Sequence, residues 1–112
     1  MKIKNSKIGE ALVIIPMEKR IDASLATDFK GQIVDWINDG HYRIVLDLSY
    51  ADLIDSSGLG AIVSSLKTMG KKGHLVICGV KETVMRLFQL TRMDRVFQIF
   101  PSQHEAIRAI TD

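Results

Sequence analysis

The sequence predicts an α/β fold, a mixed central β-sheet with helices packed on it. Three observations carry this: a β-rich start, a strict alternation of helical and extended patterns after it, and two almost unbroken apolar runs at residues 44–48 and 75–80. Strands of that kind are buried on both faces, the situation inside a helix-covered sheet. With 112 residues the chain is expected to form one domain, 1–112, around a single core.

The elements follow in order. Lys2-Ile3-Lys4 alternates polar and apolar, Gly9 supplies a turn, and Ala11-Leu12-Val13-Ile14-Ile15 is a short, largely β-branched run closed by Pro16, which reads as an N-terminal strand pair. From Ser24, the residues Leu25, Phe29, Ile33, Trp36 and Ile37 recur at spacings of three and four, one face of a helix stopped by Asn38-Asp39-Gly40. The strand at 44–48 comes next, followed by a turn region at 49–57. A second helix carries Leu59, Ile62, Val63, Leu66 and Met69 on one stripe and stops at Gly70 and Gly73. After the strand at 75–80, Val84, Leu87 and Phe88 with Thr91 mark a shorter third helix, and residues 96–100 read as a final strand before Pro101. Ser102-Gln103-His104-Glu105 fits the Ser-x-x-Glu capping box of a C-terminal helix containing Ala106, Ile107, Ala109 and Ile110. No internal repeat or linker interrupts this series.

Composition narrows the function. A hydrophobic fraction of 46% with 25% charged residues and two prolines is ordinary globular usage, which argues against disorder and low-complexity scaffolds. Fifteen Lys and Arg against thirteen Asp and Glu leave a net charge of +2, and the cations are scattered. Direct nucleic-acid binding, which needs a concentrated basic footprint, is not expected. The one basic cluster, Lys67 with Lys71 and Lys72, reads either as a binding patch or as a solvated helix end whose cations face the C-terminal dipole. The single cysteine, Cys78, cannot form an internal disulfide, and its apolar setting Leu75-Val76-Ile77 suits a small core residue in a reducing compartment. No stretch approaches the ~18 consecutive apolar residues of a membrane span, and the N-terminal residues lack a signal-peptide apolar region. The expectation is a cytoplasmic protein with no membrane partner.

Right-handed crossovers place the loop at 49–57 at the carboxyl end of the strand before it, where open α/β sheets put their functional sites. It reads Ser49-Tyr50-Ala51-Asp52-Leu53-Ile54-Asp55-Ser56-Ser57-Gly58-Leu59-Gly60. Asp55, Ser56 and Ser57 are all helix N-cap types, so one of them caps the second helix on the simplest reading. Gly58 and Gly60 go beyond that reading, because each disfavours the helix by about 0.8–1.0 kcal/mol relative to Ala. Glycines there predict a close approach to the backbone, by a partner surface or a phosphate. A helix N-terminus favours an anion, and a phosphorylated serine would add about −1.5 to −2 charges beside Asp52 and Asp55. Such a group would repel a docked partner without refolding the domain.

Asp55-Ser56-Ser57-Gly58-Leu59-Gly60, preceded by Ile44-Val45-Leu46-Asp47-Leu48 and followed by an amphipathic helix, resembles the phosphorylation-site motif of bacterial anti-sigma factor antagonists, the STAS domain family. The likeness spans nearly the whole chain, including Ile21-Asp22-Ala23 before the first helix and Val84-Met85-Arg86-Leu87-Phe88 in the third. It implies a STAS-like fold and a partner-switching mechanism. Ser56 matches the serine that accepts phosphate from an anti-sigma factor which is itself a serine kinase and supplies the ATP site. The unphosphorylated antagonist binds that partner and frees the sigma factor; the phosphorylated form is released, and a serine phosphatase restores it. Asp22 matches a carboxylate near the phosphoserine, and is equally placed to cap the first helix. The implied partner surface comprises Asp22, Asp55, Ser56, Ser57, Gly58, Leu59 and Gly60. One position departs from the family pattern: Lys19 stands where a glycine is common, three residues before Asp22. Its charge, with that of Arg20, would either suit a different partner or stabilise a phosphoserine.

Other chemistries fit poorly. The strand-to-helix loop lacks Gly-x-Ser-x-Gly, and His41, His74 and His104 are scattered, so no serine-hydrolase constellation forms. Gly58-x-Gly60 lacks the third glycine of a dinucleotide fingerprint, no Gly-Lys-Ser/Thr follows, and no metal-ligand spacing occurs. No catalytic residue, metal or cofactor is therefore expected. The competing reading is a stand-alone binding module of the same fold serving another signalling or transport complex.

Overall fold

The strands of the computed structural model, which describes residues 1–111, form around the apolar runs. In chain order they are β1 (Ile3–Ile8), β2 (Ala11–Pro16), β3 (Arg20–Ile21), β4 (Arg43–Asp47), β5 (Leu53–Ile54), β6 (His74–Cys78) and β7 (Ile99–Phe100). The helices are α1 (Ala23–Asn38), α2 (Ser56–Met69), α3 (Glu82–Leu90) and α4 (Gln103–Thr111). The main sheet has the order β1-β2-β4-β6-β7, with β1 antiparallel to β2 and the remaining pairs parallel. The predicted mixed sheet with an N-terminal strand pair is therefore the observed one.

Alternating side chains along the parallel strands build two cores. Leu12, Ile14, Ile44, Leu46, Leu75 and Ile77 face one way and meet Phe29, Ile33, Ile37, Ile62 and Phe88 of the first three helices. Val13, Val45, Val76 and Cys78 face the other way, onto Ala106 and Ile110 of α4. Burial on both faces explains the unbroken runs, since full burial of each such large side chain is worth about 1.5–3 kcal/mol. The crossovers β2-α1-β4, β4-α2-β6 and β6-α3-β7 all step the same way across the sheet, so one handedness puts all three helices on one face.

Three readings of the sequence change. The segments before α1 and α2 are not simple loops, because β3 and β5 pair there as a separate two-stranded parallel sheet with Arg20 opposite Leu53 and Ile21 opposite Ile54. Asp22 consequently follows β3 and lies beyond the end of the second strand. The last strand is only Ile99–Phe100: a 3-10 turn at Met93–Arg95 precedes it, and Phe97 turns inward to meet Phe88 edge-on with ring centroids 6.0 Å apart. The run at 75–80 ends its strand at Cys78, where Gly79 turns the chain at φ 69°.

Candidate functional site

The carboxyl edge of the parallel strands gathers the charged residues of the site. Two-residue ladders are weak alone, yet here β3 and β5 hold α1 and α2 in register at their starts. The Ile21–Ile54 rung leaves Asp22 and Asp55 as the next residues of the two strands, and the Asp55 N–H donates to the Ile21 carbonyl at 3.2 Å. Each aspartate caps its own helix. Asp22 accepts from the Ser24 N–H at 3.0 Å and the Ser24 hydroxyl at 2.6 Å; Asp55 accepts from the Gly58 N–H at 3.0 Å. The Ser24 hydroxyl is the main reason the Asp22 carboxyl sits below the usual carboxylate range.

With Asp55 as the cap, both serines fall in the first turn of α2. Ser56 is exposed and Ser57 half-buried, and among the described residues neither hydroxyl has a hydrogen-bond partner. Ser56 therefore stands exposed at the positive end of the helix, directly after its capping carboxylate, with Asp22 following the paired strand β3.

The two glycines part company. A Cβ on Gly58 would stand 2.5 Å from the Ile21 carbonyl oxygen and 2.8 Å from Ile54 Cγ2, so the close approach at that position is made by the protein's own β3–β5 sheet. Gly60 is exposed with nothing within 4 Å of where its Cβ would be, and no internal packing calls for it. Leu59 is 6% exposed and points into the main core. Asp22, Asp55, Ser56, Ser57 and Gly60 thus reach the surface, while Gly58 and the Leu59 side chain face inward.

Residues outside the motif complete the surface. Asp52 is hydrogen-bonded to the Lys81 ammonium, which holds its carboxyl below the usual range, and Lys19 Nζ lies 3.9 Å from its other oxygen. The Thr83 hydroxyl donates to the Asp52 carbonyl at 2.8 Å, so the start of α3 is tied to the β4–β5 loop. Lys19 also lies 5.5 Å from the centre of the Tyr50 ring. Its backbone avoids the left-handed region, so the position needs no glycine. Sequence reasoning missed the β3–β5 pairing and the Lys81 and Thr83 contacts. A signal for the first was present: Arg20-Ile21-Asp22-Ala23-Ser24 and Leu53-Ile54-Asp55-Ser56-Ser57 share the order Ile, Asp, small residue, Ser.

The adjoining hollow of about 560 Å3, lined by residues that include Ser49, Gly79, Lys81 and Met85, contains no histidine or carboxylate. Among the described residues no group of three His, Cys, Asp or Glu side chains could hold a metal ion, and no helix is long and apolar enough to cross a membrane.

The family model of the STAS domain matches residues 3–106. The chain belongs to the STAS domain family. Among STAS relatives, it is 33% identical over 106 residues to a candidate anti-sigma factor antagonist of Thermotoga neapolitana, covering 93% of this chain and 94% of that one. The crystal structure of a candidate anti-sigma factor antagonist from Thermotoga maritima superposes with a TM-score of 0.87 at 29% identity, covering 98% of this chain and 95% of that one. The Bacillus cell fate determinant SpoIIAA in its phosphorylated form has the same fold, with a TM-score of 0.72 at 18% identity over 96% of this chain and 98% of that one.

Proposed function

We propose that this STAS domain is an anti-sigma factor antagonist that works by phosphorylation-controlled partner switching at Ser56. Unphosphorylated, it binds an anti-sigma factor that is itself a serine kinase, and so frees a sigma factor for transcription in the cytoplasm. The kinase, which brings the ATP site, phosphorylates Ser56 and is released; a serine phosphatase restores the binding form. The domain itself is a binding and regulatory protein with no catalytic step of its own.

The exposed Ser56 in the first turn of α2, directly after the capping carboxylate Asp55, is the observation that carries this reading. A phosphate there adds about −1.5 to −2 charges at a helix N-terminus that accepts an anion, so the fold survives modification. A partner docked over the same surface meets a new charge beside Asp22 and Asp55 and loses contact. The names of the relatives support the class of partner. Open space over Gly60 supports docking along the exposed face of α2.

Incubation with the cognate kinase and ATP, followed by intact-mass measurement and peptide mapping, tests the assignment. One phosphate on Ser56 is expected, and a phosphate on Ser57 alone would refute it. In calorimetry, Ser56→Ala is expected to keep partner binding and Ser56→Asp to weaken it. Equal affinities would remove the switch, and capture of a transport complex in place of an anti-sigma factor would favour the other class of client.

A further inference from the structure

The amino edge of the parallel sheet, at the far end of α2 from Ser56, carries a second concentration of charge. Arg43 opens β4, His74 opens β6, and the two are register partners. Between α2 and β6 the chain makes a 3-10 turn, Gly70–Lys72, which brings Lys71 and Lys72 to the same edge. Tyr42, Arg43, Lys71, Lys72, Gly73 and His74 line a groove of about 610 Å3.

The groove is held by close backbone packing. The His74 N–H donates to the Tyr42 carbonyl at 2.8 Å, and a Cβ on Gly73 would overlap that same oxygen. No side chain fits at Gly73, so the lysine turn is pressed against Tyr42-Arg43. Lys71, Lys72 and His74 are exposed, and among the described residues none has a carboxylate partner. Arg43 does, in Glu10 at 3.3 Å, but both side chains are largely in water, where such a pair is weak and easily exchanged. The C-terminal dipole of α2 accounts for cations in its last turn. It does not account for Arg43 and His74, which come from strand starts.

We infer that this groove binds a multiply charged phosphate group. Lys71, Lys72 and Arg43 line it, two ammonium groups and a guanidinium fork of the kind that suits phosphate oxygens, and Tyr42, 42% exposed, is the aromatic residue of its lining. The fourteen residues of α2, at about 1.5 Å each, separate the groove from Ser56 by about 20 Å. Its occupant leaves the Ser56 surface clear, so this site stands apart from the switch. The same donors read a free phosphate ligand or a phosphate carried on a lipid headgroup.

Pyrophosphate titrated into the full chain, followed by amide NMR, is the first arm. Saturable shifts confined to Tyr42, Arg43 and residues 71–74 are expected, weakening as salt rises. Lys71→Ala with Lys72→Ala is expected to lower affinity about tenfold or more with an unchanged circular dichroism spectrum, while Lys2→Ala with Lys4→Ala, toward the other edge of the sheet, leaves it unchanged. The second arm is co-sedimentation with phosphatidylcholine vesicles with and without phosphatidic acid. Sedimentation that requires both phosphatidic acid and the two lysines places the phosphate on a lipid, and pyrophosphate binding without sedimentation places it on a soluble ligand. Shifts spread over β1 and α4 as strongly as over the groove, binding indifferent to the Lys71 and Lys72 variants, or no binding in either arm overturns the inference. Because Ser56→Ala keeps the groove, its failure to bind the anti-sigma factor would leave this result untouched.

Discussion

Gly58 packs directly on the β3 strand, with the site of its missing Cβ 2.5 Å from the Ile21 carbonyl oxygen. That oxygen also accepts the Asp55 N–H, so one carbonyl positions both the cap of α2 and the glycine three residues later. Gly60, two residues on, meets nothing. Gly58→Ala is therefore expected to destabilise the domain by about 1–3 kcal/mol through overpacking, and Gly60→Ala to stabilise it by about 0.8–1 kcal/mol through helix propensity. Denaturant melts of the two variants should move in opposite directions. A bulkier Gly60→Val should leave the fold intact and weaken partner binding in calorimetry; a variant that loses its circular dichroism signal would make Gly60 structural.

Arg92 is the one non-glycine residue among those described with a left-handed backbone, at φ 61° and ψ 19°, immediately after the α3 C-cap Thr91. A side chain in that conformation is strained by about 1 kcal/mol, and glycine is the residue helices commonly place there. Arg92→Gly is expected to raise the melting temperature by several degrees, whereas a β-branched Arg92→Val lowers it. An unchanged melting temperature in both would show that the turn relaxes without cost.

The acid limb of stability should follow the surface carboxylates Asp22, Asp52 and Asp28, the last held low chiefly by the N-terminal ammonium. Asp22 is held below its ordinary range chiefly by the Ser24 hydroxyl, and Asp52 chiefly by the Lys81 ammonium. A lowered folded-state value means stability that is present above the unfolded value of about 4 and lost as pH falls through the folded one. Thermal melts should be level from neutral pH to about 5 and fall below about 4. Lys81→Ala should lie below the wild type at neutral pH and converge on it only as the pH falls through the lowered folded-state value of Asp52, below which the carboxyl is protonated in both.

Asp47 fastens α4 to the sheet. This carboxylate is 6% exposed; one oxygen accepts the Ser49 N–H at 2.9 Å and the other the Gln103 amide at 2.6 Å. Gln103→Ala leaves a buried charge half satisfied and is expected to cost about 1–3 kcal/mol, with Gln103→Glu costing more because two carboxylates would face each other. Equilibrium denaturation measures both, and hydrogen exchange should show α4 opening first.

The main sheet and its helices were legible because their signals are local. Residues 44–48 and 75–80 are apolar on both faces, and Phe29, Ile33 and Ile37 repeat at helical spacing, so each segment states its own burial. Residues 20–21 and 53–54 state nothing comparable. Two residues are too few to show a period, and Leu53 remains 47% exposed even when paired. The final strand was read too long for a related reason: Phe97 is apolar because it packs on Phe88, and its burial arises from a turn.

The same division runs through the site. Order within the chain was enough to place Asp55, Ser56 and Ser57 at the start of a helix, since caps and helix starts are matters of neighbours in sequence; the choice of Ser56 among them came from the resemblance to the STAS domain family. The same order also exposed two glycines as anomalies without telling them apart. Tertiary structure alone placed Asp22 beside Asp55, pressed Gly58 onto Ile21, left Gly60 bare and bound Asp52 to Lys81. Each of these relations joins segments at least 29 residues apart or depends on what lies across from a residue, and no one-dimensional pattern carries that information.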